Sequence, residues 1–172
     1  FFALVMFTLI LGDSPKALGT SAAAKSNEVC ADCHEEVVAG FHKNTHGRVR
    51  EFEVADGKTG CVSCHENGLK HAEEGGDTEV LASFTTMSAE DSSDKCLSCH
   101  QDSTMAHWQS SGHAMGDISC TSCHNIHSGA TKPATELCYT CHSDVQAEMM
   151  LPSHHPVAEG KMSCASCHNP HG

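Results

Sequence analysis

The chain has 172 residues, a formal net charge of −12, and a composition that is 39% hydrophobic but only 5% aromatic. This apolar supply is thin for a conventional hydrophobic core in a domain of that size. The negative charge argues against nucleic acid as a partner, because binding to phosphates requires basic residues. It suits a basic partner protein or a cationic metal species, although an acidic surface also serves solubility alone.

Residues 1–11 form an apolar run that is too short to span a bilayer alone. Small residues that suit cleavage by a signal peptidase follow at residues 22–24, with residues 17–19 as a second option. The pattern predicts that residues 1–24 are either the remnant of a secretory signal peptide or an N-terminal membrane anchor. Residues 25–172 would then form one folded domain.

Along that domain, helices are predicted over residues 26–41, 93–110 and 136–150. The glycine-rich run 74–77 and the polar run 88–94 are predicted to be loops. We expect little or no β-structure, because no long alternation of β-branched residues occurs. The predicted fold is therefore mostly irregular chain with short α-helices.

All twelve cysteines lie in six Cys-x-x-Cys-His pentads, numbered here as motifs I to VI, which begin at residues 30, 61, 96, 120, 138 and 164. This is the attachment signature of c-type haem, in which two thiols bond to the porphyrin and the histidine binds the iron. Zinc sites and disulfide frameworks do not require a histidine after every second cysteine. We therefore expect six c-type haems, held by Cys30, Cys33, Cys61, Cys64, Cys96, Cys99, Cys120, Cys123, Cys138, Cys141, Cys164 and Cys167.

Six porphyrins change the expected fold, because each is a large apolar plate that a small amount of polypeptide can cover. The predicted fold class becomes a multihaem cytochrome c, with the chain wrapped around a stacked haem core. Folding should then be coupled to cofactor binding, as it is in small metal domains. Because c-type haem is attached after export, residues 25–172 are expected in the periplasm, in the extracellular space or at the cell surface.

The fifteen histidines exceed the twelve ligands that six bis-histidine irons would need. A haem with two nitrogen ligands can pass electrons but has no open position for a substrate. Six histidines end the pentads and are predicted to be the proximal ligands: His34, His65, His100, His124, His142 and His168.

Five further histidines are predicted to be distal ligands: His46, His71, His113, His127 and His171. His46 and His113 stand in similar segments, each beside a glycine and five residues after an aromatic residue. His127 and His171 follow a proximal histidine by three residues, which is too close to reach the opposite face of the same haem. Each is therefore expected to bind a neighbouring haem.

The remaining histidines leave alternatives open. One of His154 and His155 is expected to bind iron, and the sequence does not decide which. His42 and His107 are interpreted as surface histidines, or as ligands of a haem in a neighbouring subunit. The methionines are expected to pack against haem edges rather than to replace a distal histidine.

The motifs with their following histidines resemble the decahaem cytochromes of metal-reduction and dimethyl-sulfoxide-respiration conduits. The resemblance rests on Phe41 with His46-Gly47, Trp108 with His113, the motif IV histidine with His127, and the closing run from residue 151 to residue 172. It implies electron transfer between redox proteins that act as donor and acceptor, toward the outer membrane and often within a porin. The chain departs from that family in having six motifs rather than ten.

The function predicted is an electron conduit through six bis-histidine haems, in anaerobic respiration or extracellular electron transfer. One variant of this hypothesis is a cytochrome that polymerises with copies of itself into a filament. The alternative is a multihaem reductase with one open haem, which the surplus of histidines and the low content of Lys and Arg argue against.

Overall fold

The computed structural model describes residues 22–48, 60–128 and 134–172. Within these ranges the α-helices are α1 (Ala22–Phe41), α2 (Thr45–Arg48), α3 (Gly68–Glu73), α4 (Ala89–Leu97), α5 (Gly112–Met115), α6 (Ala134–Tyr139) and α7 (Ser143–Glu148). Short 3-10 turns lie at Gly60–Ser63, Thr78–Val80, Trp108–Ser110, Cys120–Ser122 and Cys164–Ser166. The described residues contain no β-strand, which confirms the predicted class of short helices and irregular chain.

The predicted N-terminal segment falls largely on residues 1–21, which lie outside the described residues. Its nature and the boundary at residue 25 therefore stay predictions. In the part of the chain that the structure describes, none of the helices is both long and apolar enough to cross a membrane.

The helix predicted over 26–41 is present within α1, but the backbone leaves helical geometry at His34, with φ −119° and ψ 43°. The helix predicted over 136–150 is divided in the same way. It forms α6 and α7, separated by a turn that ends at His142, where φ is −98° and ψ is 55°. In both places the break falls on the histidine of a pentad, because the pentad makes its own tight turn.

The predictions around α4 are wrong at both ends. The run 88–94 is helical rather than a loop, because the Ser88 hydroxyl accepts a hydrogen bond from the amide of Asp91 at 3.0 Å and caps the helix. Glu90 and Asp91 add negative charge to the first turn, where the helix dipole favours it. The helix then ends at Leu97, so residues 98–107 are turns and not the predicted helix.

The helices and the 3-10 turns combine into three similar units. Helix α1 packs against the turn Gly60–Ser63, α4 against Cys120–Ser122, and α6 against Cys164–Ser166. Each helix carries an odd-numbered motif and each turn an even-numbered one. We call these pairs unit 1 (motifs I and II), unit 2 (motifs III and IV) and unit 3 (motifs V and VI).

The polypeptide alone builds almost no core. Among the described residues, Val38 and Trp108 are the buried hydrophobic side chains, and the one fully buried side chain is the small hydroxymethyl group of Ser92. Two apolar side chains contribute only a few kcal/mol of burial, far less than the entropy lost by a chain of this length.

Candidate haem-binding sites

The pentads adopt one local geometry. In motifs II to VI, the histidine amide donates to the carbonyl of the first cysteine at 2.9 to 3.0 Å, which closes a tight turn. In all six motifs the first cysteine is partly buried and the second is exposed, and all twelve thiols are free of disulfides. Every motif therefore presents two thiols and an imidazole in the arrangement that covalent haem attachment uses.

The first cysteines of the two motifs within a unit lie side by side. Burial, and then the neighbouring Cys30 thiol, raises the pKa of Cys61 to about 11. Burial and the Cys120 thiol likewise raise the pKa of Cys96 to about 12. In unit 3, burial and a hydrogen bond with Cys164 raise the pKa of Cys138. Haems attached to these thiols would meet at the same edge within each unit.

The second cysteines link one unit to the next. Partial loss of hydration raises the pKa of Cys64 in motif II, and the next largest cause is the Cys99 thiol in motif III. The corresponding influence on Cys123 in motif IV is Cys141 in motif V. Taken with the contacts inside the units, the thiols connect the motifs in the linear order I, II, III, IV, V, VI.

Five proximal histidines each face one of the histidines predicted to be distal. The ring centroids are 6.3 Å apart for His34 and His71, 5.8 Å for His100 and His46, 5.8 Å for His65 and His127, 6.2 Å for His142 and His113, and 6.0 Å for His124 and His171. The three pairs that involve His71, His127 and His171 are stacked within 23° of parallel, and the other two are close to perpendicular.

These separations fit a metal ion between the rings. A bond from a metal ion to an imidazole nitrogen is about 2.0 Å long, and the ring centroid lies about 1 Å beyond that nitrogen. Two imidazoles on opposite sides of one iron therefore place their centroids about 6 Å apart. Within the described ranges, no group of three or more His, Cys, Asp or Glu side chains is gathered as a metal site would need. The donor set thus consists of facing imidazoles, as an iron porphyrin requires.

Backbone carbonyl groups orient two of the predicted distal histidines. His71 Nδ1 lies 2.8 Å from the carbonyl oxygen of Asp77, and His113 Nδ1 lies 3.0 Å from that of Pro170. Donation by Nδ1–H leaves Nε2 as the free nitrogen, which is the usual arrangement of a metal-binding histidine. These carbonyl groups carry no sequence signal, and sequence reasoning missed them.

The segments that follow motifs IV and VI hold their histidines by the same device. The Asn125 side-chain oxygen accepts a hydrogen bond from the amide of His127 at 3.0 Å, and the Asn169 oxygen accepts one from His171 at 3.1 Å. The asparagine of each Cys-His-Asn-x-His segment therefore fixes a turn. Each turn aims its second histidine away from its own motif.

Burial and neighbouring histidines lower the pKa of three of the paired histidines, which favours the neutral form of each ring. Burial, and then the nearby His100, lowers the pKa of His46. Burial, followed by His127 and His34, lowers the pKa of His65. Burial, followed by His124 and His113, lowers the pKa of His171. Neutral imidazole is the form that binds a metal, so the sites favour ligation at physiological pH.

Asn27 is a positioning residue that the sequence did not reveal. It is 5% exposed, and its side-chain oxygen accepts hydrogen bonds from the amide of Cys61 at 3.2 Å and from the Cys61 thiol at 3.0 Å. A side chain at Gly60, which has φ +72°, would collide with this asparagine. Asn27 therefore joins α1 to the first cysteine of motif II.

The remaining histidines are not placed in such pairs. His154 contacts the Leu151 carbonyl through Nδ1 and the Glu159 carboxylate through Nε2, the latter at 3.0 Å. His155, His42 and His107 are exposed. The proximal His168 of motif VI is also exposed, and none of the histidines, all of which lie in the described ranges, is paired with its ring.

Comparison with known proteins supports the reading of the motifs. Residues 61–135 match the family model of the NrfB-like c-type cytochromes. The chain is also 32% identical, over 86% of its length, to the multihaem cytochrome MtrA of Shewanella baltica (strain OS185). The chain is a multihaem c-type cytochrome. It spans 47% of the length of that curated relative.

Membership of the multihaem c-type cytochromes gives this chain c-type haem as its cofactor. The cytochrome carries its attachment residues in a linear series of motifs, and its histidine pairs lie along the same series.

Proposed function

We propose that this cytochrome is an electron conduit of six c-type haems, in which electrons pass from motif to motif in sequence order. The observation that supports this most directly is the set of five histidine pairs, with ring centroids 5.8 to 6.3 Å apart. The c-type haem supplies a reversible one-electron change at its iron. The residues of this chain hold the haems, supply facing imidazoles for five of the irons and set the distances between them.

The proposed ligand pairs are His34 with His71, His65 with His127, His100 with His46, His124 with His171, and His142 with His113. Two imidazoles leave a low-spin iron without an open position, which favours electron transfer over substrate chemistry. The twelve motif cysteines hold the six porphyrins, and the contacts between cysteines of successive motifs bring neighbouring porphyrin edges together. Short edge distances are what rapid hopping between haems requires.

The proposed setting follows from the haem type, the charge and the resemblance to outer-membrane conduits. Attachment of c-type haem after export places the domain in the periplasm or at the cell surface. A net charge of −12 favours basic redox proteins as donor and acceptor, mainly by raising the rate of encounter. An outer-membrane porin is a further proposed partner, in anaerobic respiration or extracellular electron transfer.

A reductase is the second candidate, because one observation favours it. Among the described residues, His168 has no histidine ring facing it, so no second histidine is assigned to the motif VI iron. An iron with one protein ligand would have an open position for an oxyanion. The reductase proposal requires turnover with such a substrate, whereas the conduit proposal requires none.

Substitution of the paired histidines tests the conduit. The matured protein should carry six haems by mass, and low-temperature electron paramagnetic resonance should show low-spin iron at motifs I to V. His46→Ala should open one additional haem to carbon monoxide, whereas His42→Ala, in the same segment, should open none. Equal effects of the two substitutions would contradict the proposed ligand set.

A kinetic experiment tests the path. After a pulse of reductant reaches a few haems, electrons should redistribute at a rate that does not depend on protein concentration. Redistribution that slows in proportion to dilution would mean that electrons move between molecules, and the conduit would be rejected. Nitrogen and sulfur oxyanions added to the reduced protein should not be consumed, and steady turnover would move the reductase to first place.

A further inference from the structure

Motif II differs from the other five motifs in the surroundings of its proximal histidine. All six proximal histidines lie in the described ranges, and the exposed ones are His34, His100, His124, His142 and His168. His65 of motif II is half-buried instead. Its imidazole is therefore the one that the polypeptide shields most from water among the proximal ligands.

An aromatic side chain contributes to this shielding. The ring centroids of Phe84 and His65 are 5.4 Å apart, and the ring planes meet at 76°. Such an edge-to-face arrangement is favourable for two aromatic rings. Among the described residues, none of the other proximal histidines has a Phe, Tyr or Trp ring packed against it. The contact with Phe84 is thus a property of motif II.

A tight turn holds Phe84 beside the histidine. The Ser83 carbonyl oxygen accepts hydrogen bonds from the amides of Thr86 and Met87, both at 3.1 Å. The Ser83 hydroxyl oxygen lies 2.7 Å from that of Thr85 and accepts a hydrogen bond from the Thr85 amide at 3.3 Å. Local hydrogen bonds therefore fix the backbone on both sides of Phe84.

The shielded imidazole also has an unpartnered polar atom. His65 Nδ1 is buried, and none of the described residues gives it a hydrogen bond. By contrast, His71 Nδ1 lies 2.8 Å from the Asp77 carbonyl oxygen, and His113 Nδ1 lies 3.0 Å from that of Pro170. A metal-binding histidine usually donates its second ring N–H, and this donation makes it a more basic ligand. His65 is therefore expected to be a weaker electron donor to iron than His71 or His113.

The charged groups beside motif II do not oppose this effect. Glu66 follows His65 in the chain, and its carboxylate lies 2.7 Å from the Lys95 ammonium group. Burial, and then the Cys99 thiol, raises the pKa of the Cys64 thiol, whereas the positive charge of Lys95 acts in the opposite direction. Lys95 thus pairs with the carboxylate next to His65 and also acts on a thiol of motif II.

Weak donation and shielding from water act on a haem in the same direction. Both favour the ferrous state, because ferric iron has the larger positive charge and gains more from a basic ligand and from hydration. We propose that Phe84 is a positioning residue that keeps His65 Nδ1 away from water, and that the motif II haem therefore has the highest reduction potential among the five haems with paired histidines.

This inference rests on the proposed function and adds a resting place for the electron to it. The motif II iron takes one electron from the donor protein and changes from ferric to ferrous before the irons of motifs I, III, IV and V. Electrons therefore collect in unit 1, and transfer from motif II to motif III is an uphill step of the path.

The first measurement is a redox titration of the matured protein, followed by low-temperature electron paramagnetic resonance. Haems with parallel imidazole planes and haems with perpendicular planes give different low-spin signals. The first low-spin signal lost on reduction should be of the parallel kind, because the ring planes of His65 and His127 meet at 18°. Earlier loss of a perpendicular-type signal would overturn the inference.

Removal of one attachment site assigns that first signal to a motif. The low-spin signal that is lost first should be missing when Cys61 and Cys64 are both replaced by alanine. A variant that matures and still contains this signal would overturn the inference. The order of reduction is measured on the unaltered protein, so it does not depend on the folding of this variant.

Substitutions in the turn test the role of Phe84. Phe84→Ala should admit water to His65 Nδ1, and the ratio of reduced to oxidised motif II haem at a fixed solution potential should fall by about three- to tenfold, the effect of one hydrogen bond. Phe84→Leu should retain most of the original ratio, because its side chain still excludes water. Thr85→Ala, at an exposed position in the same turn, should leave the ratio unchanged. No fall in Phe84→Ala, or equal falls in the three variants, would overturn this role.

Binding of carbon monoxide separates this inference from the proposed function. Phe84→Ala should bind no more carbon monoxide than the unaltered protein, because His65 and His127 still bind the iron. An additional binding site would mean that Phe84 only holds the ligand in place, and would overturn its effect on the potential. A high-spin motif II haem in the unaltered protein would reject the proposed ligand pair, whereas a low-spin motif II haem that is reduced last would reject this inference alone.

Discussion

The segments after motifs II and IV use the same kind of histidine to opposite effect. After motif IV, Asn125 closes a tight turn and His127, three residues past the pentad, faces His65 in the preceding unit. After motif II, the chain turns at Asn67, which has φ 62°, and continues into α3 before His71 faces His34 in the same unit. A segment that is three residues longer thus places its histidine opposite a motif of the same unit rather than a motif of the neighbouring unit.

The length of the segment after a pentad therefore decides which motif its histidine faces. A short segment keeps the histidine close to its own motif, where it meets only the neighbouring unit. A longer segment with a helical turn carries the histidine back across its own unit. The same residue type can therefore extend a haem series or close it.

The largest effect is expected from removing the histidines of these two segments, which are the proposed axial ligands of two irons. His127→Ala and His71→Ala should each create one additional high-spin haem that binds carbon monoxide, because each leaves an iron with a single protein ligand. Titration of the reduced protein with carbon monoxide counts the open haems in each variant, and His42→Ala is the control.

A second substitution identifies which haem has been opened. The additional carbon monoxide site of His127→Ala should vanish when Cys61 and Cys64 are also replaced by alanine, because motif II then holds no haem. The additional site of His71→Ala should vanish only when Cys30 and Cys33 are replaced. The reverse pattern would mean that the two segments serve the opposite irons.

A smaller effect, on the free energy of unfolding, is expected at Asn67, where the longer segment turns. Asn67→Val should lower the free energy of unfolding by about 1 to 2 kcal/mol, because a β-branched residue is disfavoured at positive φ. Denaturant unfolding of the matured protein measures it. Asn67→Gly is the matched control and should lower the free energy of unfolding by no more than a few tenths of the Asn67→Val effect. Equal losses in the two variants would mean that the positive φ at Asn67 does not explain the effect.

The smallest effect is expected outside both segments, at the cap of α4. Ser88→Ala should lower the free energy of unfolding by about 1 kcal/mol, because the amide of Asp91 loses its acceptor. Ser88→Asn should retain most of the stability. Neither variant should alter the carbon monoxide stoichiometry, and an effect on it would mean that α4 controls the ligands of motif III.

Local patterns allowed the motifs, the class of fold and the region of α1 to be predicted from sequence. They failed where a cap or a pentad turn decided the structure, as at Ser88 and His142. They predicted that His127 serves a neighbouring haem, which stays a prediction, and they did not name His65 as the ring that it faces. That pairing depends on contacts between distant segments, such as the bond from the Asn44 side chain to the Ile126 carbonyl, which residue spacing does not encode.

The closeness of cysteines from different motifs has a consequence for the order in which the protein is made. The Cys30 thiol lies close enough to Cys61 to help raise its pKa, and the Cys120 thiol has the same effect on Cys96. An exported chain that approached its final shape before attachment would expose these thiols to oxidants that form disulfides. Each such bond would remove one attachment point from two different haems. A mild reductant during maturation should therefore raise the yield of fully loaded protein, because biogenesis is a competition between haem attachment and oxidation.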